Sequence, residues 1–452
     1  MHALYNLAAW MAQPLLRRKL AARARAEPLY GQWVAERFGH AYAAPAVSRE
    51  DERPLWIHAV SLGETRAAAI LAQALRARRP GLRLLLTHGT ATGRAEGAKL
   101  LQAGDAQAWQ PWDTPAAVAR FLAHFRPRAG VLMETEIWPN LIAQSAAQGV
   151  PLALANARLS EKSLRAARRA AWLMRPAYAR LAAAWAQTDA DAARLRQMGA
   201  PVAGVFGNLK FDARPDPALL ALGQRWREQA RQAGRAIVML ASSRDGEEAA
   251  FMQAIAQARA ADAAGLAGIQ WLIVPRHPQR FDEVARLAQS HGLRVSRRSA
   301  WSQSANEGTG ANESGSTNAA PPAADLWLGD SLGEMPAYYA AARVALLGAS
   351  FAPLGGQNLI EAAACACPVV MGPHTFNFAQ AAESAQAAGA ALRAPDMPAA
   401  LAAALALARD EAAHERAAQA ALALIAAHRG AADRTAEAVL TLMDEGLRQT
   451  PP

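Results

Sequence analysis

The sequence predicts an α/β protein made of two doubly wound domains, and three observations carry that prediction. Short apolar runs of strand length alternate with segments of helix length. The alternation starts near residue 54, lapses near 212 and restarts near 233. The 452 residues also exceed what one core usually holds, at about 150 residues per domain. A composition that is 52% hydrophobic and 19% charged supplies apolar residues for two large cores and excludes a disordered chain.

Residues 1–40 open the chain as an amphipathic, membrane-associated segment. Ala3 to Leu16 is mostly apolar but holds Asn6, Gln13 and Pro14, and Arg17, Arg18, Lys19, Arg23 and Arg25 follow. The run falls short of the roughly 20 residues that span a bilayer, and it lacks the charged start of a signal peptide. Apolar residues followed by basic ones suit shallow insertion with the arginines on cytoplasmic headgroups; a helix docked on the body is the other reading.

The first domain, 41–212, follows. Leu55 to Val60, Leu82 to Thr87, Gly130 to Met133, Val150 to Ala155 and Ala183 to Gln187 read as buried strands of a parallel sheet, with helices between them. Residues 213–232, two early prolines and then a charged helix, read as a linker. The second domain, 233–425, has strands at Ala236 to Ala241, Trp271 to Pro275, Leu293 to Ser296, Leu326 to Leu328, Val344 to Gly348 and Pro368 to Met371. Within it, 300–324 is rich in Ser, Asn, Gly and Thr and reads as a disordered insertion. Alanine-rich helices end the chain, the last taken as 426–452.

The net charge of +10 favours anionic partners. The basic residues form no single block interleaved with aromatics, so nucleic acid is not expected, whereas an anionic membrane surface or a phosphorylated substrate is. Cys365 and Cys367, one residue apart, suit neither a disulfide nor a zinc framework and fit a reducing compartment. No Asp-x-Asp pair stands at a trusted strand end, and His58, His88, His277 and His374 do not form a spaced ligand set, so neither a metal nor a cofactor is expected.

In open parallel sheets ligands bind beyond the carboxyl ends of strands, and the chemistry-bearing motifs stand there. Ser61-Leu62-Gly63-Glu64 follows the first strand; Gly63 allows a tight turn, and Glu64 is either a helix cap or a base for an attacking hydroxyl. Met133-Glu134-Thr135-Glu136-Ile137-Trp138-Pro139-Asn140 follows another strand, with two glutamates that either cap a helix opened by Pro139 or orient a substrate. Lys210, in Gly207 to Asp212, can meet a phosphate or carboxylate. In the second domain Pro275-Arg276-His277-Pro278, Asp330 to Met335, and Gly355-Gly356-Gln357-Asn358-Leu359-Ile360-Glu361 stand after strands. The last pairs a Gly-rich loop with a helix start, which suits phosphate, and Glu361 suits ribose hydroxyls.

The strings SLGE, METEIWPN, NARLS (Asn156 to Ser160), GNLKFD, VPRHPQRF, GDSLGE, GGQNLIEAAA and MGPHTFNF occur in order between residues 57 and 378. This ordered set resembles the 3-deoxy-D-manno-octulosonic acid (Kdo) transferases of lipopolysaccharide synthesis, as does the run through ERFG (Glu36 to Gly39). The resemblance implies a GT-B fold: two Rossmann-like domains around a cleft, with a lipid A precursor (lipid IVA) bound by the first domain and CMP-Kdo by the second. It implies inversion without a metal or cofactor at the cytoplasmic side of the cell inner membrane. It makes Glu64 the general base and Glu134 and Lys210 the stabilisers of the transition state. It puts the CMP contacts at Pro275, Arg276, Leu332, Gly333, Glu334, Asn358, Leu359, Ile360 and Glu361. Two positions depart from the family pattern: Gln357 stands where a histidine is usual, and Arg244-Asp245 where a Thr-His pair is frequent. The rival readings are another GT-B enzyme, of the lipid A disaccharide synthase or epimerase type, and a non-catalytic membrane scaffold. A retaining route with Glu64 as nucleophile ranks below direct displacement.

Overall fold

The structure is a computed structural model that describes residues 2–301 and 321–448. The chain forms two compact units: one runs to Asp212 and takes in the stretch from His428 onward, and the other is Ala213–Ala427.

The first unit holds seven parallel strands: β1 (Leu55–His58), β2 (Leu84–His88), β3 (Ala106–Trp109), β4 (Ala129–Met133), β5 (Leu152–Ala157), β6 (Ala183–Ala186) and β7 (Val202–Val205). Their order across the sheet is β3-β2-β1-β4-β5-β6-β7, so the direction of winding reverses between β1 and β4. β1, β2, β4 and β5 are buried along their whole length because helices cover both faces, which is why they read as continuous apolar runs. β1 packs tightly on β4: a Cβ on Gly130 would lie 2.9 Å from the Trp56 ring and 2.3 Å from Leu152.

The second unit repeats the plan with β8 (Ala236–Ser243), β9 (Ile269–Pro275), β10 (Val295–Arg297), β11 (Leu326–Leu328), β12 (Val344–Leu347), β13 (Val369–Met371) and β14 (Ala391–Arg393). The order is β10-β11-β9-β8-β12-β13-β14, with the reversal between β8 and β12.

β3, β7 and β14 are absent from the sequence reading, and each is the outer strand of its sheet. β7 is a short Val-Ala-Gly-Val stretch that alternates half-buried and exposed residues, and only the first residue of β14 is buried, so neither is covered along its length as an inner strand is. Residues 213–232, read as a linker, carry the helix Pro217–Gln232, whose buried Gly223 and Trp226 join the body of the second unit. A Cβ on Gly223 would lie 2.1 Å from the Ala337 carbonyl, so this helix seats directly on the helix Met335–Ala341. The stretch expected to be disordered has core residues at both ends: Trp301 and Ala324 are 1% and 3% exposed. Residues 302–320 of that stretch lie outside the described residues. Helix Ala431–Arg448 belongs to the first unit, where Arg78 and Arg79 of helix Leu62–Arg78 and its cap bond Asp433 and Asp444.

The N-terminal segment forms two helices, His2–Met11 and Gln13–Ala26, with Pro14 at the start of the second. They are tied to the first unit: the Tyr5 hydroxyl donates to Asp113 (2.6 Å), Leu20 is buried, and the Arg17 guanidinium lies 3.6 Å over the Phe38 ring. Leu4, Leu7, Trp10, Met11 and Leu15 are exposed. Among the described residues, no helix is long and apolar enough to cross a membrane.

Below these helices Glu36 is fully buried, where its carboxylate accepts from Arg94 (2.7 Å) and from the Trp109 N–H (2.8 Å). Arg94→Met strands that charge, and we expect a loss of about 3–5 kcal/mol in urea unfolding. The double variant with Glu36→Gln should recover part of the loss; a single variant as stable as the parent would show that the pair does not hold this region.

Candidate active site

The helix after β1 begins with a reciprocal cap. Ser61 is the N-cap; its Oγ accepts from the Glu64 N–H (3.3 Å) and donates to Glu64 Oε1 (2.9 Å). Glu64 Oε2 accepts from the Val60 N–H (2.7 Å), so both carboxylate oxygens are fastened. Gly63 is the second residue of this helix rather than a turn; a Cβ there would meet only Ser61 Oγ, at 3.9 Å. Its contribution is therefore an open helix start. Burial raises the Glu64 carboxyl most, and the charge of Glu136 adds to it; the Val60 N–H opposes, Glu134 adds a little, and Ser61 opposes. The result is a carboxyl raised to about 7, in the range a general base at neutral pH needs.

Glu134, first residue beyond β4, has φ +57. Its Oε1 accepts from Lys210 Nζ at 2.8 Å, and Asn156 Nδ2 lies 3.4 Å from the same oxygen. Lys210 sits in the turn Leu209–Asp212. Glu136 Oε2 accepts from Trp138 Nε1 (2.7 Å) and lies 3.9 Å from Nε2 of fully buried His58. Neither glutamate caps helix Pro139–Ala147. Asp113 does so, accepting from the N–H groups of Asn140 (3.0 Å) and Leu141 (2.7 Å). The capping alternative for these two acids therefore gives way to one in which Glu134 holds a lysine and Glu136 raises Glu64.

A cavity of about 250 Å³ lies beside this group. Leu16, Leu20, Tyr30, Trp112 and Trp138 form its apolar walls; Lys19, Arg23 and Arg37 give it positive charge. Val60, whose N–H holds Glu64, lines it too.

In the second unit, the ends of β8 and β12 are tied by a buried carboxylate. Glu247 accepts from the N–H groups of Arg244 (2.9 Å), Ala349 (2.7 Å) and Phe351 (3.2 Å). Pro275 ends β9, and the Arg276 N–H bonds the Ser243 carbonyl. Burial, then the charges of Arg244, Arg276 and Arg280, hold His277 below the usual imidazole range, so this strand end is cationic. Gly355 and Gly356 have φ +90 and +75, which side chains rarely adopt, and lead to Asn358. Asn358 Oδ1 accepts from the Ile360 N–H (3.2 Å), and Nδ2 donates to Glu361 (3.1 Å). Leu359 and Ile360 are each 1% exposed, so only their backbone can meet a ligand. In the Leu332-Gly333-Glu334 turn, Leu332 is exposed and Gly333 has φ +84. The Glu334 carboxylate is occupied by Arg298 (2.8 Å) and Ser331. Among the described residues, no three His, Cys, Asp or Glu group to hold a metal ion.

Glu64, Glu134 and Lys210 thus come together in the first unit, and the nine expected donor residues gather at strand ends of the second. The sequence reading named Asn156 only as the first residue of NARLS, with no role, and did not name Glu247 or Asp113. Only Asn156 left a signal, as an asparagine at the end of an apolar run, where positive φ is tolerated.

Two doubly wound units, one with a neutral-range carboxyl at its switch point and the other with a cationic, Gly-rich strand end, suit an α/β glycosyltransferase. The fold is shared, at 11% identity, with a glycosyltransferase from Rickettsia africae (TM-score 0.54; 88% of this chain and 100% of that one). It is shared also with a UDP-GlcNAc 2-epimerase from Neisseria meningitidis (13% identity, TM-score 0.53; 87% and 100%). Residues 32–213 match the sequence profile described as 3-Deoxy-D-manno-octulosonic-acid transferase (kdotransferase). The 3-deoxy-D-manno-octulosonic acid transferase of Bordetella pertussis is 52% identical over 400 residues, 86% of this chain and 87% of that one. The chain belongs to the 3-deoxy-D-manno-octulosonic acid transferase family.

The raised Glu64 carboxyl has a consequence for stability. The folded state holds this proton more tightly than the unfolded chain, so its advantage is full at low pH and is lost as pH rises through about 7. Glu64→Gln should match the parent near pH 4 and exceed it at pH 8 by about 1–3 kcal/mol in urea unfolding. Equal stability at pH 8 would refute the raised value.

Proposed function

We propose that this transferase moves Kdo from CMP-Kdo to a lipid A precursor of the lipid IVA type, inverting the anomeric carbon and using no metal, at the cytoplasmic face of the inner membrane. The observation that carries this reading is the Glu64 carboxyl, raised to about 7, beside an apolar cavity with three cations. An acylated, phosphorylated sugar matches such a lining: acyl chains suit Leu16, Leu20 and Tyr30, and phosphate suits Lys19, Arg23 and Arg37.

Glu64 takes the proton of the acceptor hydroxyl as its oxygen bonds to the anomeric carbon. The bond from that carbon to the CMP phosphate breaks, and the electron pair leaves with CMP. The phosphate is a good leaving group, so the demand is for positive charge to receive it, and Arg276 and Lys210 supply that. Glu134 steadies the positive charge that develops on the sugar ring and holds Lys210 by their ion pair. CMP binds at the ends of β8, β9 and β12. The backbone around Gly355, Gly356, Leu359 and Ile360 meets the phosphate, and Glu361, held by Asn358, meets the ribose. The Leu332-Gly333-Glu334 turn contributes its backbone, since the Glu334 carboxylate is taken.

The exposed Leu4, Leu7, Trp10, Met11 and Leu15, with the arginines that follow them, support contact with an anionic bilayer. Leu7→Glu with Trp10→Glu should lower binding to phosphatidylglycerol vesicles about tenfold or more in co-sedimentation. Undiminished binding would remove this helix as the contact.

The decisive assay supplies CMP-Kdo, generated in situ, and tetraacylated lipid A precursor. Glu64→Gln should lower kcat by roughly 10²–10⁴. The parent's kcat/KM should fall tenfold per pH unit below about 7. Glu136→Gln, which removes a charge that raises Glu64, should move this limb acidward by roughly 0.5–1 unit. Folded protein that transfers no Kdo would sink the proposal.

A further inference from the structure

The segment that carries Lys210 is held from both ends. At its far end Asp212 accepts from the N–H groups of Gly430 (2.6 Å) and Ala432 (2.8 Å), at the start of the last helix of the first unit. At its near end, the Leu209 N–H donates to Asn156 Oδ1 at 3.1 Å. Asn156 is 2% exposed and sits in β5 with φ +52. The pairing of β5 with β6 slips there: Leu154 faces Ala184, whereas Ala157 faces Ala186, so β5 carries one extra residue. Such a bulge re-aims a side chain out of the sheet's alternation. The Asn156 backbone carbonyl is fixed in turn by Gln187 Nε2 (2.9 Å). The re-aimed carboxamide offers its oxygen to the Leu209 turn and brings its nitrogen to 3.4 Å from Glu134 Oε1, the oxygen that bonds Lys210 Nζ.

We propose that Asn156 is a positioning residue: its carboxamide ties the end of β4 to the turn of Lys210 and so holds the Glu134–Lys210 pair in place. Asparagine satisfies both demands, because it tolerates the left-handed backbone and offers an acceptor and a donor on one rigid plane. Leucine would lack both bonds, and aspartate would keep the acceptor but set a second carboxylate against Glu134. The catalytic value of the arrangement rests on the roles proposed above for Glu134 and Lys210; the hold on Lys210 does not.

The test reads the two separately. The chain has four lysines, Lys19, Lys99, Lys162 and Lys210, so competitive amine labelling followed by mass spectrometry resolves each. Asn156→Gly removes the carboxamide but suits the positive φ, which guards against misfolding; Asn156→Asp serves as a second variant that keeps the Leu209 bond. In Asn156→Gly the labelling rate of Lys210 should rise several-fold while the other three stay unchanged. A Lys210 rate equal to the parent's in a folded variant overturns the inference.

In the transfer assay, Asn156→Gly should lower kcat about tenfold or more with the KM for CMP-Kdo unchanged. The further cost of Lys210→Ala should shrink in that background, as a double-mutant cycle shows for residues acting as one unit. Fully additive losses overturn the inference. If Lys210 labels faster but neither Lys210→Ala nor Asn156→Gly slows transfer, the hold by Asn156 stands and the catalytic role given to Lys210 fails.

Discussion

Four non-glycine residues leave the two sheets in the left-handed conformation: Glu134 after β4, Asn156 in β5, Ser242 in β8 and Ala349 beyond β12. Each costs roughly 1–2 kcal/mol against an ordinary backbone. They stand where the winding of each sheet reverses or one strand away, and three of them carry a clamp. Glu134 meets Lys210, Asn156 meets the Leu209 turn, and the Ala349 N–H meets Glu247. At Ser242 the backbone approaches its neighbour so closely that a Cβ on Gly348 would lie 2.4 Å from its carbonyl, which makes glycine obligatory there. The strain persists because the sheets on one side and the hydrogen bonds on the other leave these residues no alternative.

The two units handle charge differently. In the first, Glu64, Glu134 and Glu136 lie close enough that the latter two raise the first, and the cost is limited by Lys210 and the Trp138 N–H. In the second, arginines gather near His277, and carboxylates restrain some of them: Arg280 bonds Glu248, and its Nη1 lies 2.9 Å from Asp245. Asp245, whose side chain is 85% exposed, adds a surface ion pair to the same arginine.

Much of this was legible in the chain, and what was not has a common cause. Inner strands such as Leu84–His88 and Val344–Leu347 are covered on both faces and announce themselves as apolar runs. Outer strands such as Ala391–Arg393 pair on one side only, and a single buried residue leaves no such signature. Glu64 and Lys210 were named as candidates because each is a charged residue just beyond an apolar run, while their roles came from the resemblance. Asn156 and Glu247 were not, since their work is to bond backbone N–H groups far along the chain, Leu209 for one and Ala349 for the other. Such a task needs only an oxygen at the right place, and many residues in a sequence offer one.

The first unit is discontinuous: helix Ala431–Arg448 packs on helix Leu62–Arg78 and supplies Ala431, Ala436 and Val439 to the same buried cluster as Leu55 and Val131. During synthesis those residues leave the ribosome more than 200 positions after the rest of their unit. The contiguous second unit, Ala213–Ala427, has everything it needs to fold earlier. The half that bears Glu64 therefore waits with an uncovered face on helix Leu62–Arg78, and Asp212 with the N–H groups of Gly430 and Ala432 still to come. The helix that closes the core also pins the turn of Lys210, so that turn is fixed only once helix Ala431–Arg448 has been made.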